Sequence, residues 1–353
     1  MAVGSAEAEY EAYVRKHETW NFATNLLDLT FFNFSNSFIF GATVLSLYAA
    51  HLTDSAVLVG LIPAIQQVAH HLPQLLLARY VETLPRKKPL LLRISVMERL
   101  PYLFVALLAL LWPGAPRWLA YTVLALSLAL ATGAGGLGSP AWQNMLAKVI
   151  RPERRGIFFG LSNATGGLLG IAGAAISRHI LGTRAYPTSF GLCFLLAFGA
   201  QVISWVALAG NREPARKPSK VSLPAKEYFR RLPDVLRGNP NFARYLVGRA
   251  LIILGTMATA FYVIYARDAF AVDDAFAGAL TMVALGSQTL FTPLLGVLAD
   301  RKGHKWATEV CTALGVGAAA LALVAPSAAW LYGVFVLMNV STAGLMVANM
   351  SII

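Results

Sequence analysis

From about residue 22 to its end the chain alternates apolar runs of twenty or more residues with short segments that carry nearly all the charge. At 1.5 Å per residue, each run is long enough to cross a hydrocarbon core of ~30 Å. Only 13% of the 353 residues are charged and 57% are hydrophobic, too little charge to cover a soluble surface of this size. These features predict an all-α, polytopic transmembrane helix bundle.

The net charge of +12 raises the question of nucleic acid, and its placement answers it. Nineteen Lys and Arg residues fall in 79–88, 148–155, 212–237 and 301–305, whereas the alternate loops hold only Arg117, Arg178, Arg184 and Arg267. Short basic loops stay cytoplasmic. The pattern therefore predicts a cytoplasmic N-terminus in a cell (plasma or inner) membrane, basic loops against anionic lipid, and no nucleic-acid partner. Cys193 and Cys311 lie within apolar runs and read as small buried hydrophobes, so neither a metal nor another cofactor is expected.

Residues 1–21 are amphipathic and read as a cytoplasmic interfacial segment. Six spans follow in 22–209: about 22–49, 56–80, 89–112, 117–146, 156–181 and 187–209. The stretch 210–240 carries five prolines and eight bases and reads as a basic cytoplasmic linker, with a short surface helix around Ala225 to Arg237. Four more spans, about 242–266, 275–299, 305–325 and 328–351, occupy 241–353. The second set holds four spans against six, and the chain is expected to lack roughly two helices.

Between the second and third spans of the second set lies Gly296-Val-Leu-Ala-Asp300-Arg301-Lys302-Gly303-His304-Lys305, a charged hairpin between apolar runs. A weaker copy runs from Ala78 to Lys87, keeping the acid as Glu82 and the bases as Arg86 and Lys87. Repetition at this distance marks two related halves. Gly296, Asp300, Arg301, Gly303 and Lys305 resemble the loop motif of the major facilitator superfamily, and the basic loop containing Arg154 and Arg155 resembles that family's loop after the fourth helix. The resemblance implies a two-half architecture with internal inverted repeats and alternating access. It also implies a central site lined mainly by the first, fourth, seventh and tenth helices, a small-molecule substrate, and a monomer without cofactor. The fifth span lacks the Gly-Pro signature of that family's drug antiporters.

Independently of the resemblance, Gly296 and Gly303 permit close helix approach and a tight reversal. Asp300 at the membrane surface can accept hydrogen bonds across the seam between halves, so Asp300 and Arg301 read as a cytoplasmic latch. The alternative is that they only set the turn.

Ionisable groups at membrane depth are costly and mark functional positions. Asp28, Glu98 and Glu309 are the only acids within spans, and Glu309 can reach the interface. Asn25, Asp28, Phe32 and Asn36 share one helical face. Asp28 is the first candidate for proton coupling, since a desolvated carboxyl can hold a proton and release it when the site opens. The alternative is an interhelical hydrogen bond. Glu98 and Arg99 are further candidates. As neighbours they diverge by about 100° and are expected to find separate partners; the resemblance implies a peripheral third helix, and with it a structural ion pair with a neighbouring helix rather than a substrate role. His70 and His71 could relay protons or simply pack.

Asn25, Asn33, Asn36, Gln143, Asn144, Arg249, Thr256, Tyr262 and Asn339 are candidate cavity groups, offering amides, hydroxyls and aromatics with few fixed charges. The leading reading is a secondary transporter moving a small organic solute, drug-like, metabolite or sugar, with H+ as coupling ion. The alternatives are a receptor or scaffold on the same fold and a membrane enzyme; no His-Glu-x-x-His, Gly-x-Ser-x-Gly or phosphate-cradling loop supports the enzyme.

Overall fold

The computed structural model describes residues 2–216 and 236–350. Helix α1 (Ala2–Phe38) leads through a π-helical turn (Gly41–Leu45) into α2 (Ser46–Leu52). There follow α3 (Ala56–Thr83), α4 (Lys88–Leu111), α5 (Arg117–Val149), α6 (Pro152–Thr183) and α7 (Thr188–Ala209). Beyond the undescribed stretch come α8 (Pro240–Thr256), α9 (Thr259–Phe270), α10 (Ala275–Lys302), α11 (His304–Leu323) and α12 (Trp330–Met350). Among the described residues there is no strand.

Helix boundaries follow local chemistry. Ser55 caps α3 by accepting from the Leu58 N–H, and Pro89, Pro152 and Pro240 open α4, α6 and α8, where a missing N–H costs nothing. Helix α10 stops at Gly303, whose φ of 93° is open to glycine and strained for other residues.

Among the described residues, seven segments are long and apolar enough to cross a membrane: α4, α5, α6, α7, the pair α8 and α9, α10 and α11. Trp330–Met346 of α12 is a shorter apolar helix. The sequence predicts ten spans. In α1 the polar first turns run straight into apolar ones, because the expected interfacial segment 1–21 and the first span form one continuous helix to Phe38. The surface helix expected around 225–237 lies largely outside the described residues.

Two expected straight spans are broken. The first interrupts at Ile39 and Phe40 and resumes as the π turn, where Ser46 Oγ donates to the Gly41 carbonyl at 2.7 Å. Gln66 lies against Gly41 there, with its Oε1 2.7 Å from where a Cβ would stand. The seventh span interrupts at Met257 and Ala258, whose N–H groups reach back to Leu254 and Gly255.

Helices α1, α3, α4, α5, α6 and α7 pack as one group and α10, α11 and α12 as another. The groups meet along α6 and α10. At Gly278 a Cβ would lie 2.5 Å from the Arg178 Cα, and at Gly167 one would lie 2.0 Å from Thr289 Oγ1, so the helices cross at backbone contact. The main apolar core, including Phe38, Tyr48, Leu124, Phe190, Phe194, Leu280 and Phe335, draws on both groups.

Candidate functional site

At the end of the bundle away from the basic loops, the groups are fastened together. His51 Nε2 lies 3.0 Å from both Asp274 carboxylate oxygens, Tyr186 stacks on the His51 ring at 4.6 Å, and Thr43 and Thr281 share a hydrogen bond of 2.5 Å. A Cβ at Gly156 or Gly160 of α6 would meet nothing within 4 Å.

In the hairpin, Asp300, Arg301 and Gly303 are exposed, and Asp300 and Arg301 form no ion pair with the described residues. Gly296 is half-buried, and Lys305 reaches only Glu309, one turn along α11, at 3.8 Å. In the weaker copy, Glu82 and Arg86 are exposed and Lys87 is buried.

That copy is organised by Glu213, a residue of the stretch expected to be linker. Its buried carboxylate accepts from the Lys87 N–H at 2.7 Å and the Lys88 N–H at 2.8 Å, where α4 begins, and from Lys148 Nζ at 2.9 Å. A carboxylate at a helix N-terminus meets both free N–H groups and the positive end of the dipole. Burial pushes the Lys87 ammonium down, with Lys148 adding to the effect and Glu213 opposing it. Glu18 holds Arg151 at 2.9 Å and Arg154 at 3.4 Å, while Arg155 donates to the Ile150 and Ala147 carbonyls at the end of α5.

A cavity of about 490 Å³ lies among α1, α3, α4, α5 and α7. Asp28, Phe32 and Asn36 of α1 line it, together with His70, Ser95, Glu98, Arg99, Tyr102, Trp142 and Gln201. Asp28 is 4% exposed, and its Oδ1 accepts from Ser204 Oγ at 2.6 Å. Ser204 in turn accepts from Arg99 Nη2 at 3.0 Å. Arg99 Nε donates to the Gln201 carbonyl at 2.9 Å and Nη1 to the Ser95 carbonyl at 3.0 Å and to Glu98 at 3.1 Å.

The structure thus corrects the expectation that Glu98 and Arg99 find separate partners. The guanidinium is long enough to fold back on its neighbour despite the 100° between them. Nor is α4 peripheral: both residues stand on the wall of the Asp28 cavity.

A second cavity of about 250 Å³ sits at the seam, lined by Phe40, Gly41 and Ala42 at the first break and by Met257, Thr259 and Ala260 at the seventh. Gln66, Gln67, Gln288 and Asn339 supply its amides, and Gln288 Nε2 donates to Asn339 Oδ1 at 2.8 Å. The two cavities share Phe40, Gly41 and Gln66, so they adjoin.

Other candidates fall elsewhere. Asn25 is fully buried and bonds Asn211 and the Asn21 carbonyl, tying α1 to the end of α7. Asn33 packs against Gly166 of α6. Gln143 and Asn144 are exposed and bond within their own helix, to Ser139 and Pro140. Tyr262 packs edge-on against Phe335. Arg249 is half-buried and lines neither cavity, and the Thr256 side chain lies outside the described residues. Ser204 and Gln201 were missed, though their three-residue spacing within the apolar seventh helix puts two polar groups on one face.

A bundle of membrane-length apolar helices, with paired broken spans about two adjoining cavities, defines a polytopic membrane protein. Its fold resembles the xylose transporter XylE from E. coli in a partially occluded inward-open conformation, with TM-score 0.63 at 14% identity over 95% of this chain and 84% of that one. It resembles equally the nucleoside transporter NupG, with TM-score 0.66 at 12% identity over 93% and 82%. A POT family transporter solved with a thioalcohol-conjugated peptide gives 0.64 at 12% over 94% and 82%. Among curated proteins, no sequence matches the chain. The sequence profile of the Major Facilitator Superfamily matches residues 27–353, and the chain belongs to that family. It is an integral membrane protein and a secondary transporter of a small molecule, not an enzyme.

Proposed function

We propose that the chain moves a small organic solute by alternating access between a first half, 22–209, and a second, 241–353, with 210–240 as their linker, and that a proton on Asp28 is coupled to the movement. The observation that carries this reading is the pair of breaks at Ile39–Phe40 and Met257–Ala258, which face one cavity from corresponding spans of the two halves. Interrupted helices at matching positions are where such bundles bind their cargo. The adjoining cavity supplies a buried carboxylate on its wall.

In this reading the basic end and the N-terminus are cytoplasmic, in the cell membrane, and the protein works as a monomer. The structure's conformation is then inward-facing, clasped outside by His51 and Asp274 and parted inside. Asp300 and Arg301 are the open half of the inner latch and re-engage when the inside closes.

Proteoliposomes loaded with pyranine and challenged with a panel of small organic solutes test the proposal. At least one solute is expected to give both counterflow and a change in internal pH. Counterflow without any proton movement would remove the coupling, and absence of counterflow across a panel of neutral and charged solutes would remove the transport reading itself.

A further inference from the structure

Charge balance in the Asp28 cavity sharpens the cargo. Two carboxylates, Asp28 and Glu98, and one guanidinium, Arg99, stand on its wall. Arg99 is largely committed: Glu98, the Ser95 and Gln201 carbonyls and Ser204 take four of its five donors. It neutralises Glu98 by direct contact and reaches Asp28 only through the Ser204 hydroxyl. The other titratable groups on the cavity wall are His70 of α3 and Tyr102 of α4; among the described lining residues α5 and α7 present none. The ionised site therefore carries one uncompensated negative charge away from bulk water, and such a charge demands a proton or a cation.

The remaining wall suits a cation. Phe32, Phe40, Tyr102 and Trp142 line the same cavity, and aromatic faces attract an ammonium that has shed its water. An anion would meet two carboxylates and an arginine with four of its five donors already taken. A neutral polyol would leave the Asp28 charge unanswered.

We propose that the cavity takes a small organic cation, an ammonium on an apolar body, and that this cation and a proton exclude each other at the Asp28 carboxylate. This rests on the reading of Asp28 as the exchanging acid. When the cation enters, the Asp28 O–H bond breaks, the proton leaves to water, and the carboxylate faces the ammonium. When the cation leaves, the carboxylate takes a proton back. One charge replaces one charge, so each cation is exchanged for one proton.

The test is calorimetric titration of the purified protein with benzyltrimethylammonium, with benzyl alcohol as neutral analogue and benzoate as anion. Repeating it in two buffers of different ionisation enthalpy counts the protons released. The cation is expected to bind at least about tenfold more tightly than either analogue. Close to one proton should leave per cation at a pH where Asp28 is protonated, and tightness should fall as pH falls. Asp28→Asn should lose the preference and the proton release, while Asp28→Glu should keep both, and thermal melting of each variant shows whether it is folded.

Equal binding of the three probes, or cation binding unchanged in a folded Asp28→Asn, would overturn the proposal. Those outcomes leave the coupling role of Asp28 standing if a different solute still drives Asp28-dependent proton flux. Cation binding with proton release, but no flux in proteoliposomes, would support the site and count against the transport reading instead.

Discussion

His51 at the end of α2 places its Nε2 3.0 Å from both carboxylate oxygens of Asp274, and this contact joins the two helix groups where the basic loops are not. Both side chains are partly buried, at 25% and 20% exposure, so water screens the contact only in part. Removing one partner of such a bond costs about 1–3 kcal/mol. His51→Ala or Asp274→Ala should therefore shift the population toward the outward-open state by roughly tenfold or more. Maleimide labelling of single cysteines introduced at that end should speed up, and the double variant should change little beyond either single one. Unaltered labelling would show that the clasp does not hold the gate.

The crossing of α6 and α10 should tolerate almost no added volume. Gly278→Ala would place a Cβ 2.5 Å from the Arg178 backbone, and Gly167→Ala would place one 2.0 Å from Thr289. Each should destabilise by about 1–3 kcal/mol, the usual cost of overpacking. Gly160→Ala, with nothing within 4 Å, should leave the melting temperature unchanged or slightly raised. Thermal melting in detergent separates the three, and equal melting would contradict the backbone contact.

Arg99 should be needed most for folding. Arg99→Leu leaves Glu98 at 3.1 Å without its partner and frees two carbonyls and a hydroxyl, a loss of roughly 3–5 kcal/mol for an unpaired buried charge. Replacing Glu98 and Arg99 together by Gln should cost less than Arg99→Leu alone. A double variant that melts lower than the single one would show that the pair is not a unit.

Much of the fold was legible because membrane solvation writes itself into sequence. Apolar runs pointed to ten spans, of which seven are long and apolar enough among the described residues, and the alternation of basic loops gave two ends. The breaks were not legible: Gly41 and Gly255 look like any small residue in a span, and only the approach of Gln66 and the turn at Met257 show why the helix yields there. Asp28 stood out as an acid at depth, but its partner Ser204 is one hydroxyl in an apolar helix 176 residues away. Glu213 was hidden by its setting, since an acid in a basic, proline-rich stretch reads as solvated until α4 begins against it. Glu98 and Arg99 were separated by helix geometry on paper and joined in fact by the length of the arginine.

At the basic end, Asp300→Asn should leave the parted conformation as it is and slow the return to the outward-facing state, because Asp300 has no ion-pair partner among the described residues here. Labelling of a cysteine in the inner cleft should become faster at steady state. Gly303→Ala acts differently: with φ at 93° a Cβ is strained, and about 1 kcal/mol of stability should be lost. Identical accessibility in wild type and Asp300→Asn would reduce the hairpin to a turn.

The most direct test of proton coupling through Asp28 is solute-driven proton flux in pyranine-loaded proteoliposomes, measured beside counterflow of the same solute, for wild type and Asp28→Asn. The account predicts that Asp28→Asn abolishes the proton flux and leaves counterflow measurable at raised solute concentration, weakened where the solute is a cation, because exchange of solute for solute needs no net proton. Undiminished proton flux in Asp28→Asn would contradict it.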